Sequence, residues 1–443
     1  MRTSILKHSF CILALLLTCI TAKAQTPTIT SISPTSAKPG DIVTIVGTTF
    51  GNTVATNEVY FGNAKVTAYT SASLTTLRVA VPIGATYGPV TVLNKFNSKS
   101  VTSRQFFSPI FSKPKGSFTS SDMSVSGTFG TGTNPYNVAV GDIDGDAKPD
   151  AVVVNYSANT FSVLRNTSSS GSISFATKAD FTTGLNPYSV AIADINNDTK
   201  LDVVVVNNGA STIAVYQNTS TAGTVSFATA KTYATGASGS GSTGIAIADL
   251  DNDGWQDVLV CNGGNNKVSF LKNTSTTTAI NFATKIEYNT GTTPRSIAIG
   301  DIDGDAKLDI IVTNAGASSI STLRNTTIAG TFSVAAKVDY AVGLDPISVA
   351  LGDITADGKL DVIVSNYNAG NVSTLRNTSV SGTISLATAV NKSTTSFAET
   401  VSITDIDADG KVDVLNATNA SSLAVLKNTT TGTTPTYLAA ITF

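Results

Sequence analysis

From residue 134 onward, short apolar stretches alternate with runs of Gly, Asn, Ser and Thr, and none keeps the 3.6-residue period of an amphipathic helix. The unit after Asn186-Pro187 shows the pattern most clearly. Ser189-Val-Ala-Ile-Ala alternates like a strand with one covered face, and Leu201-Asp-Val-Val-Val-Val is apolar enough to be buried on both faces. Thr212-Ile-Ala-Val-Tyr-Gln alternates again, and Val225-Ser-Phe-Ala-Thr reads as a fourth strand. Upstream, residues 29–33, 42–47, 58–61, 76–81, 90–94 and 103–107 have strand length and composition, separated by Pro, Gly and Asn turns. The pattern predicts an all-β chain.

Between the first and second strands of each unit lies an acidic loop, first seen as Asp142-Ile-Asp144-Gly-Asp146-Ala-Lys-Pro-Asp150. It returns from Asp194, Asp249, Asp301, Asp353 and Asp405, at spacings of 52, 55, 52, 52 and 52 residues. A near-constant period of that length, with four strands per period, predicts propeller blades. The pattern places acids at loop positions 1, 3, 5 and 9. The later sets are Asp194, Asn196, Asp198 and Asp202; Asp249, Asp251, Asp253 and Asp257; Asp301, Asp303, Asp305 and Asp309; Asp353, Thr355, Asp357 and Asp361; and Asp405, Asp407, Asp409 and Asp413. These windows hold 22 of the 30 Asp and Glu residues, a clustering that solubility does not require.

Carboxylates held this close either take up protons or bind a cation. Side chains at positions 1, 3 and 5 of a tight turn resemble the first half of an EF-hand loop, and a hard ion that accepts six to eight oxygens in flexible geometry fits them. Up to six structural Ca2+ ions are therefore expected. The position-7 carbonyl, from Lys148, Lys200, Trp255, Lys307, Lys359 or Lys411, is a further ligand in this reading. Closure at position 9 rather than 12 predicts that a strand follows. Asn196 still offers an oxygen, whereas Thr355 is the weaker donor, so the fifth loop should bind least tightly. Asp-Gly and Asp-Asn also make good turns, which accounts for one or two acids per loop but not for the recurrent spacing.

Residues 1–24 read as a secretory signal: basic Arg2 and Lys7, an apolar run from Phe10 to Ile20, and Ala22-Lys23-Ala24 before Gln25. Export to the extracellular space or cell surface follows, with cleavage near Ala24. Cys19 follows Thr18, a poor match to a lipid-attachment signal. Cleavage removes His8, the only histidine, together with Cys11 and Cys19, and leaves Cys261 in an apolar run as a buried thiol. A mature chain without histidine has no Ser-His-Asp or Cys-His system and no histidine metal site. A net charge of −2 provides no basic field for nucleic acid. No transmembrane segment is expected in the mature chain, and no sorting domain after the last repeat.

Residues 26–108 have the length and strand number of an immunoglobulin-like β-sandwich. They resemble the IPT/TIG domain family at Ile32-Ser-Pro-Thr-Ser, Lys38-Pro-Gly-Asp, Val46-Gly47, Phe50-Gly51, Val59-Tyr-Phe-Gly62 and Val81-Pro. This implies a spacer or ligand-presenting module. Residues 109–133 read as a linker merging into a first propeller strand. Residues 134–443 then carry the repeats, with Asn-Pro-Tyr-Ser-Val-Ala-Ile-Ala-Asp-Ile before a loop, Leu-Asp-Val-Val-Val after it and Phe-Ala-Thr later. The likeness spans about residues 112–443 and is to FG-GAP/VCBS repeats, which form β-propellers related to the head of integrin α subunits. It implies calcium in the loop between the first two strands of a blade. That family usually closes with seven blades. Here six loops and an extra fourth-strand-like segment near 118–129 leave two outcomes, a ring closed by six blades or an incomplete seventh.

The remaining acids are Asp41, Glu58, Asp122, Asp180, Glu287, Asp339, Asp345 and Glu399, and no pair stands out as glycosidase carboxylates. Asp180, Glu287 and Asp339 occupy matching repeat positions. Trp255 and Arg295 depart from the repeat: Trp255 either stacks on a sugar or packs over its metal loop. Asn166-Thr167 and Asn218-Thr219 fit glycosylation sequons but recur at repeat turns. The expected function is a secreted or surface calcium-binding β-propeller, non-enzymatic, engaging an extracellular protein or glycan in adhesion or ligand binding. The alternative is a carbohydrate-active lyase or hydrolase on the same scaffold. That would call for an insertion bearing Lys, Tyr, Arg or paired acids, and the one visible insertion, at 237–243, bears none.

Overall fold

A computed structural model describes residues 25–110 and 127–443, except 170, 171, 238, 240, 329, 395 and 408. The expected signal and most of the segment near 118–129 lie outside the described residues.

The first domain is a sandwich. Strands Thr28–Ser33, Ile42–Thr48, Thr76–Ala80 and Tyr69–Ala72 form one sheet; Ser36–Ala37, Lys99–Pro109, Gly88–Asn94, Asn57–Phe61 and Ala64–Lys65 form the other. Period-2 alternation sends Val43, Ile45, Leu77 and Val79 inward to meet Val59, Phe61, Val90, Val92 and Phe107, all fully buried. Phe61 and Phe107 pack edge to face, with ring centroids 4.7 Å apart.

The second domain is six four-stranded antiparallel sheets, each with its strands in chain order. First strands of consecutive sheets pack on one another, so they are innermost, as in a propeller. In the second sheet the strands are Pro187–Ala193, Asp202–Asn207, Thr212–Tyr216 and Lys231–Ala234. All six residues of Asp202–Asn207 are buried, as its apolar run predicts. The fourth strand is not the expected one. Val225-Ser-Phe-Ala-Thr contributes only a bridge, Asn218 to Phe227, and the strand proper follows it. Phe227 owes its aromatic character to packing on Phe161 and Phe181, at centroid distances of 5.6 and 4.9 Å, so its side chain reports core rather than ladder.

Successive sheets bury apolar cores between them, exemplified by Val152 and Phe161 with Val190 and Val203, or Ile363 and Val372 with Val401 and Val414. Five such cores join the six sheets. Among the described residues none joins the sixth to the first. Val138 and Val140 of the first sheet are 55% and 48% exposed, whereas their counterparts Val190 and Ile192 are 6% and 5% exposed. In the sixth sheet Leu415 and Leu423 are only half-buried, whereas Ile363 and Val372 one blade earlier are fully buried. Among the described residues there are six blades, and no sixth core lies between the last and the first.

The sandwich docks on the end of the propeller that carries the acidic loops. Asn63 Nδ2 donates to the Val140 carbonyl of the first sheet at 3.0 Å, and Asn197 Nδ2 of the second donates to the Ser98 carbonyl at 2.9 Å. The Ser100 N–H donates to Gly254 of the third at 3.0 Å, and Lys99 Nζ to the Asp253 carbonyl. Arg104 Nε lies 3.8 Å from Asp301 of the fourth. A cavity of about 800 Å³ remains between the sandwich and loops four to six.

Candidate metal centres

Each loop is wound around its first aspartate. Position 6 has positive φ in all six loops, at Ala147, Thr199, Gly254, Ala306, Gly358 and Gly410. Position 4 does too at Gly145, Asn197, Asn252, Gly304 and Ala356. These left-handed residues turn backbone amides inward. In the first loop Asp142 accepts from Gly145, Asp146 and Ala147 at 2.8, 3.1 and 2.9 Å. Asp249 accepts from Asp253 and Gly254 at 3.0 and 2.8 Å, and Asp405 from Asp409 and Gly410 at 3.1 and 2.9 Å.

The ninth position has another task. Asp150, Asp202, Asp257, Asp309, Asp361 and Asp413 are fully buried, and each spans two backbone donors. Asp309 Oδ2 accepts from Ile302 N at 3.0 Å, and its Oδ1 from Asn325 N at 2.8 Å. The Asn325 amide in turn donates to the Leu308 carbonyl at 3.0 Å and to the Leu250 carbonyl of the preceding loop at 2.9 Å. Asn218, Asn273, Asn377 and Asn428 repeat the bridge to Ile143, Ile195, Ile302 and Ile354. This explains the recurrent Asn-Thr pairs: Asn218 is 2% exposed and staples two blades together at their loops.

Carboxylate oxygens converge within 4.8 Å of one another in four loops: Asp142, Asp144 and Asp146; Asp249, Asp251 and Asp257; Asp301, Asp303 and Asp309; and Asp405, Asp407 and Asp413. The other two loops are those with substitutions. Asn196 Nδ2 donates to Asp198 at 2.9 Å, and Thr355 Oγ1 to Asp361 at 3.2 Å, so hydrogen bonds replace part of the carboxylate cluster. Asp194, half-buried, and Asp202, fully buried, keep Asn196 beside them, and Asp353 and Asp357 share the turn of the fifth loop.

Burial holds these acids above the ordinary carboxylate range: Asp194, Asp249 and Asp309 at about 7, Asp257 at about 8, and Asp150, Asp361 and Asp413 at about 6. Neighbouring aspartates push them further in the same direction. In the fourth loop Asp301 Oδ1 and Asp303 Oδ2 are buried without a hydrogen-bond donor. Arg324 Nη1 stands 4.0 Å from the Asp303 oxygen, beyond hydrogen-bond reach, and Asp301 Oδ1 has no donor at all, so the pair leaves room for a cation, for which an all-oxygen donor set suits a hard divalent ion.

A feature not anticipated from the sequence is a basic residue reaching into five loops from the end of the third strand. Arg165 lies 3.8 Å from Asp144, Lys272 pairs with Asp251 and lies 2.8 Å from Asp253, and Arg324 lies 3.5 Å from Asp305. Arg376 lies 4.0 Å from Asp357, and Lys427 pairs with Asp407 and lies 3.0 Å from Asp409. The second unit has Gln217 at this place, matching the missing charge of Asn196. The fifth unit keeps Arg376 although its position 3 is Thr355, and there the guanidinium faces Asp357 at position 5.

Trp255 is partly buried under the sandwich, with Lys99 Nζ 5.2 Å from its ring centroid, so it belongs to the domain contact. Cys261 is fully buried. Asp180 pairs with Lys178 and Ser162, Glu287 with Lys285 and Lys267, and Asp339 with Lys337 and Ser321. The lysine partners hold Asp180 and Glu287 below the usual carboxylate range. Among the described residues no helix is long and apolar enough to cross a membrane, which leaves strand-built spans unaddressed.

Comparison with known proteins agrees with this architecture. Residues 27–108 match the model of the IPT/TIG domain. The chain is 40% identical over 84 residues to a cyclomaltodextrin glucanotransferase of Bacillus licheniformis, 18% of this chain and 11% of that enzyme, so it spans about a tenth of the length of that relative. Among solved structures, a Bacteroides uniformis protein proposed to be a 6-phosphogluconolactonase is similar at a TM-score of 0.51 and 13% identity, covering 80% of this chain and 91% of that one. A Lactobacillus plantarum protein is similar at 0.50 and 13%, covering 87% and 95%. At these identities the likeness is one of fold. The model of the FG-GAP-like repeat matches residues 142–205, 194–260, 249–312, 307–364 and 353–416, each match running from one acidic loop into the next unit. The chain belongs to the FG-GAP-like repeat family.

Proposed function

We propose that this chain is an exported, calcium-stabilised propeller that binds an extracellular ligand without catalysing its turnover, its sandwich seated on the metal-loop face. The observation that carries the metal half is the convergence of Asp301, Asp303 and Asp309, in which Asp301 Oδ1 is buried without a hydrogen-bond donor and Asp303 Oδ2 has only the Arg324 guanidinium, 4.0 Å away. When bound, the ion supplies charge neutralisation and nothing else. The loops do the rest: positions 1 and 3 present carboxylates, position 9 fixes the start of the second strand, and the asparagine staple passes that rigidity to the preceding blade. An ion held only by the folded loop stabilises the folded state.

The non-catalytic half is supported by the state of the other acids. A general acid and base need distinct, available carboxyls in one cleft. Asp180, Glu287, Asp339 and Glu58 are each committed to lysines. The test is calcium titration of the purified protein by calorimetry, with thermal unfolding in calcium and in chelator. Four or more ions with a large chelator-induced fall in melting temperature is the expected result. No heat of binding and an unchanged melt would remove the metal reading, and calcium-independent turnover of a polysaccharide would remove the non-enzymatic one.

A further inference from the structure

At the end of the propeller axis away from the acidic loops, one register position breaks the repeat. The first strands begin at Pro135, Pro187, Ser242, Pro294, Pro346 and Ala398, each paired with the last residue of the second strand, and the ladder slips immediately afterwards in every blade. The residue after each start lies in a β-bulge, which frees it from the ladder and re-aims its side chain. These residues are Tyr136, Tyr188, Thr243, Arg295, Ile347 and Glu399. Elsewhere along the first strand the blades are nearly uniform: an apolar residue follows three places on, at Val138, Val190, Ile245, Ile297, Val349 and Val401. At the bulge the identities differ while the backbone does not.

The side chains meet across the ring. Tyr136 Oη donates to Tyr188 Oη at 3.1 Å, with ring centroids 4.3 Å apart, and Tyr156 adds a third ring 5.8 Å from Tyr136. Arg295 Nη1, two blades from Tyr188, donates to the same Tyr188 hydroxyl at 3.0 Å. Arg295 and Glu399 occupy the same bulge position in the fourth and sixth blades and supply one charge of each sign at this end. Tyr136 is nevertheless 51% exposed. The mouth thus combines an open aromatic face, a guanidinium with donors to spare, a carboxylate and bridged hydroxyls, with opposite charges in balance.

We infer that this axial mouth is a binding site for uncharged glycans. A pyranose ring presents a C–H face to an aromatic ring and paired hydroxyls to planar donors and acceptors, and the Tyr, Arg and Glu groups supply both. The balance of Arg295 against Glu399 gives no preference for an acidic sugar. This site deepens the ligand-binding reading above and rests on it, while using none of the metal loops.

The experiment is binding of the calcium-loaded protein to an array of neutral oligosaccharides, followed by titration of the strongest binder against Tyr136→Ala, Arg295→Ala and, as a control in the sandwich, Lys38→Ala. Expected is at least a tenfold loss of affinity in the first two and none in the third, with melting temperature and calcium stoichiometry unchanged. Glu399→Gln keeps the planar shape and should lose less than Arg295→Ala. No neutral glycan retained, retention of acidic glycans or peptides alone, or affinity indifferent to Tyr136 and Arg295 would overturn the inference. If calcium binds and stabilises while glycans fail, only the mouth assignment falls; if calcium also fails, the wider reading falls with it.

Discussion

The two ends of the propeller axis are built on the same strands yet follow opposite rules. At the loop end the repeat is nearly invariant: an aspartate at position 1 collects inward amides, a buried aspartate closes position 9, and an asparagine staples the preceding blade. At the other end the backbone repeats, bulge included, but the bulge residue is Tyr, Tyr, Thr, Arg, Ile and Glu in turn. A position that every blade needs for folding is held constant within the chain. A position that folding leaves free can be given to a ligand.

The largest break in this comparison comes from withdrawing the metal. Four to six ions, each at about a hundred times its Kd, contribute about 2.7 kcal/mol apiece at the loop end. With excess chelator the melting temperature is expected to fall by roughly 10–20 °C, read by calorimetry. A fall of a degree or two would mean that the basic residues at the loops, such as Lys272 and Arg324, already neutralise them.

Next in size is the staple. Asn325→Ala removes two donated bonds, leaves the half-buried Leu308 carbonyl without this donor and the buried Leu250 carbonyl with only Thr327 Oγ1 at 3.4 Å, and is expected to destabilise by about 2–4 kcal/mol in denaturant unfolding. The side-chain amide of Asn166 in the first unit donates, among the described residues, to the Pro149 carbonyl alone, at 2.9 Å, so Asn166→Ala breaks no bond to another described blade. It should cost distinctly less, and equal losses would argue against a staple between blades.

The metal-free protein should also reveal its carboxylates through pH. Asp194, Asp249 and Asp309 near 7 and Asp257 near 8 lie above their ordinary value, so the folded state binds more protons than the unfolded one between about 4 and 8. Stability of the chelated protein is then highest at the acid end of that window and declines as pH rises through 7 to 8. Calcium prefers the ionised loops, so saturating calcium should reverse the slope. A chelated protein that melts higher at pH 8 than at pH 5 would contradict the buried, uncompensated carboxylates.

Much of this was legible in the sequence because repetition acts as an internal comparison. The period located six loops, and the apolar run at 201–206 located a strand buried on both faces. The substitutions at Asn196 and Thr355 identified the two loops whose carboxylates do not cluster. Three things were not legible. Phe227 looks like strand but packs as core, since an aromatic side chain does not distinguish the two. That the first and sixth sheets share no core among the described residues depends on the angle accumulated over five interblade cores, which no local pattern encodes. Tyr136, Tyr188 and Glu399 are ordinary until the bulge turns them to one axis, although their failure to repeat was a signal. Arg295 was noticed for that reason, and Trp255, noticed on the same ground, proved to lie under the sandwich.

A gain of function sharpens the contrast between loops. Thr355→Asp restores the third carboxylate beside Asp353 and Asp361, with Arg376 near Asp357 as in the competent loops. Tighter calcium binding by about tenfold at that site is expected, equivalent to about 1.4 kcal/mol. Unchanged affinity would mean that the loop is limited by shape rather than by charge.

The smallest expected effect is the most informative about the division of labour. Tyr136→Ala and Arg295→Ala remove groups that both meet the Tyr188 hydroxyl in the mouth but enter none of the five interblade cores. Tyr136 is half exposed, and what Arg295 gives up in the mouth is a hydrogen bond to a tyrosine hydroxyl. Substitutions of this kind usually move stability by no more than about 0.5 kcal/mol, so each variant should melt within about a degree of the parent in calcium and in chelator alike. A loss of several degrees in either would mean that the tyrosines and the arginine hold the ring together. Their departure from the repeat would then be a device for tying an open propeller across its axis, and the distinction between a structural end and a binding end would fail.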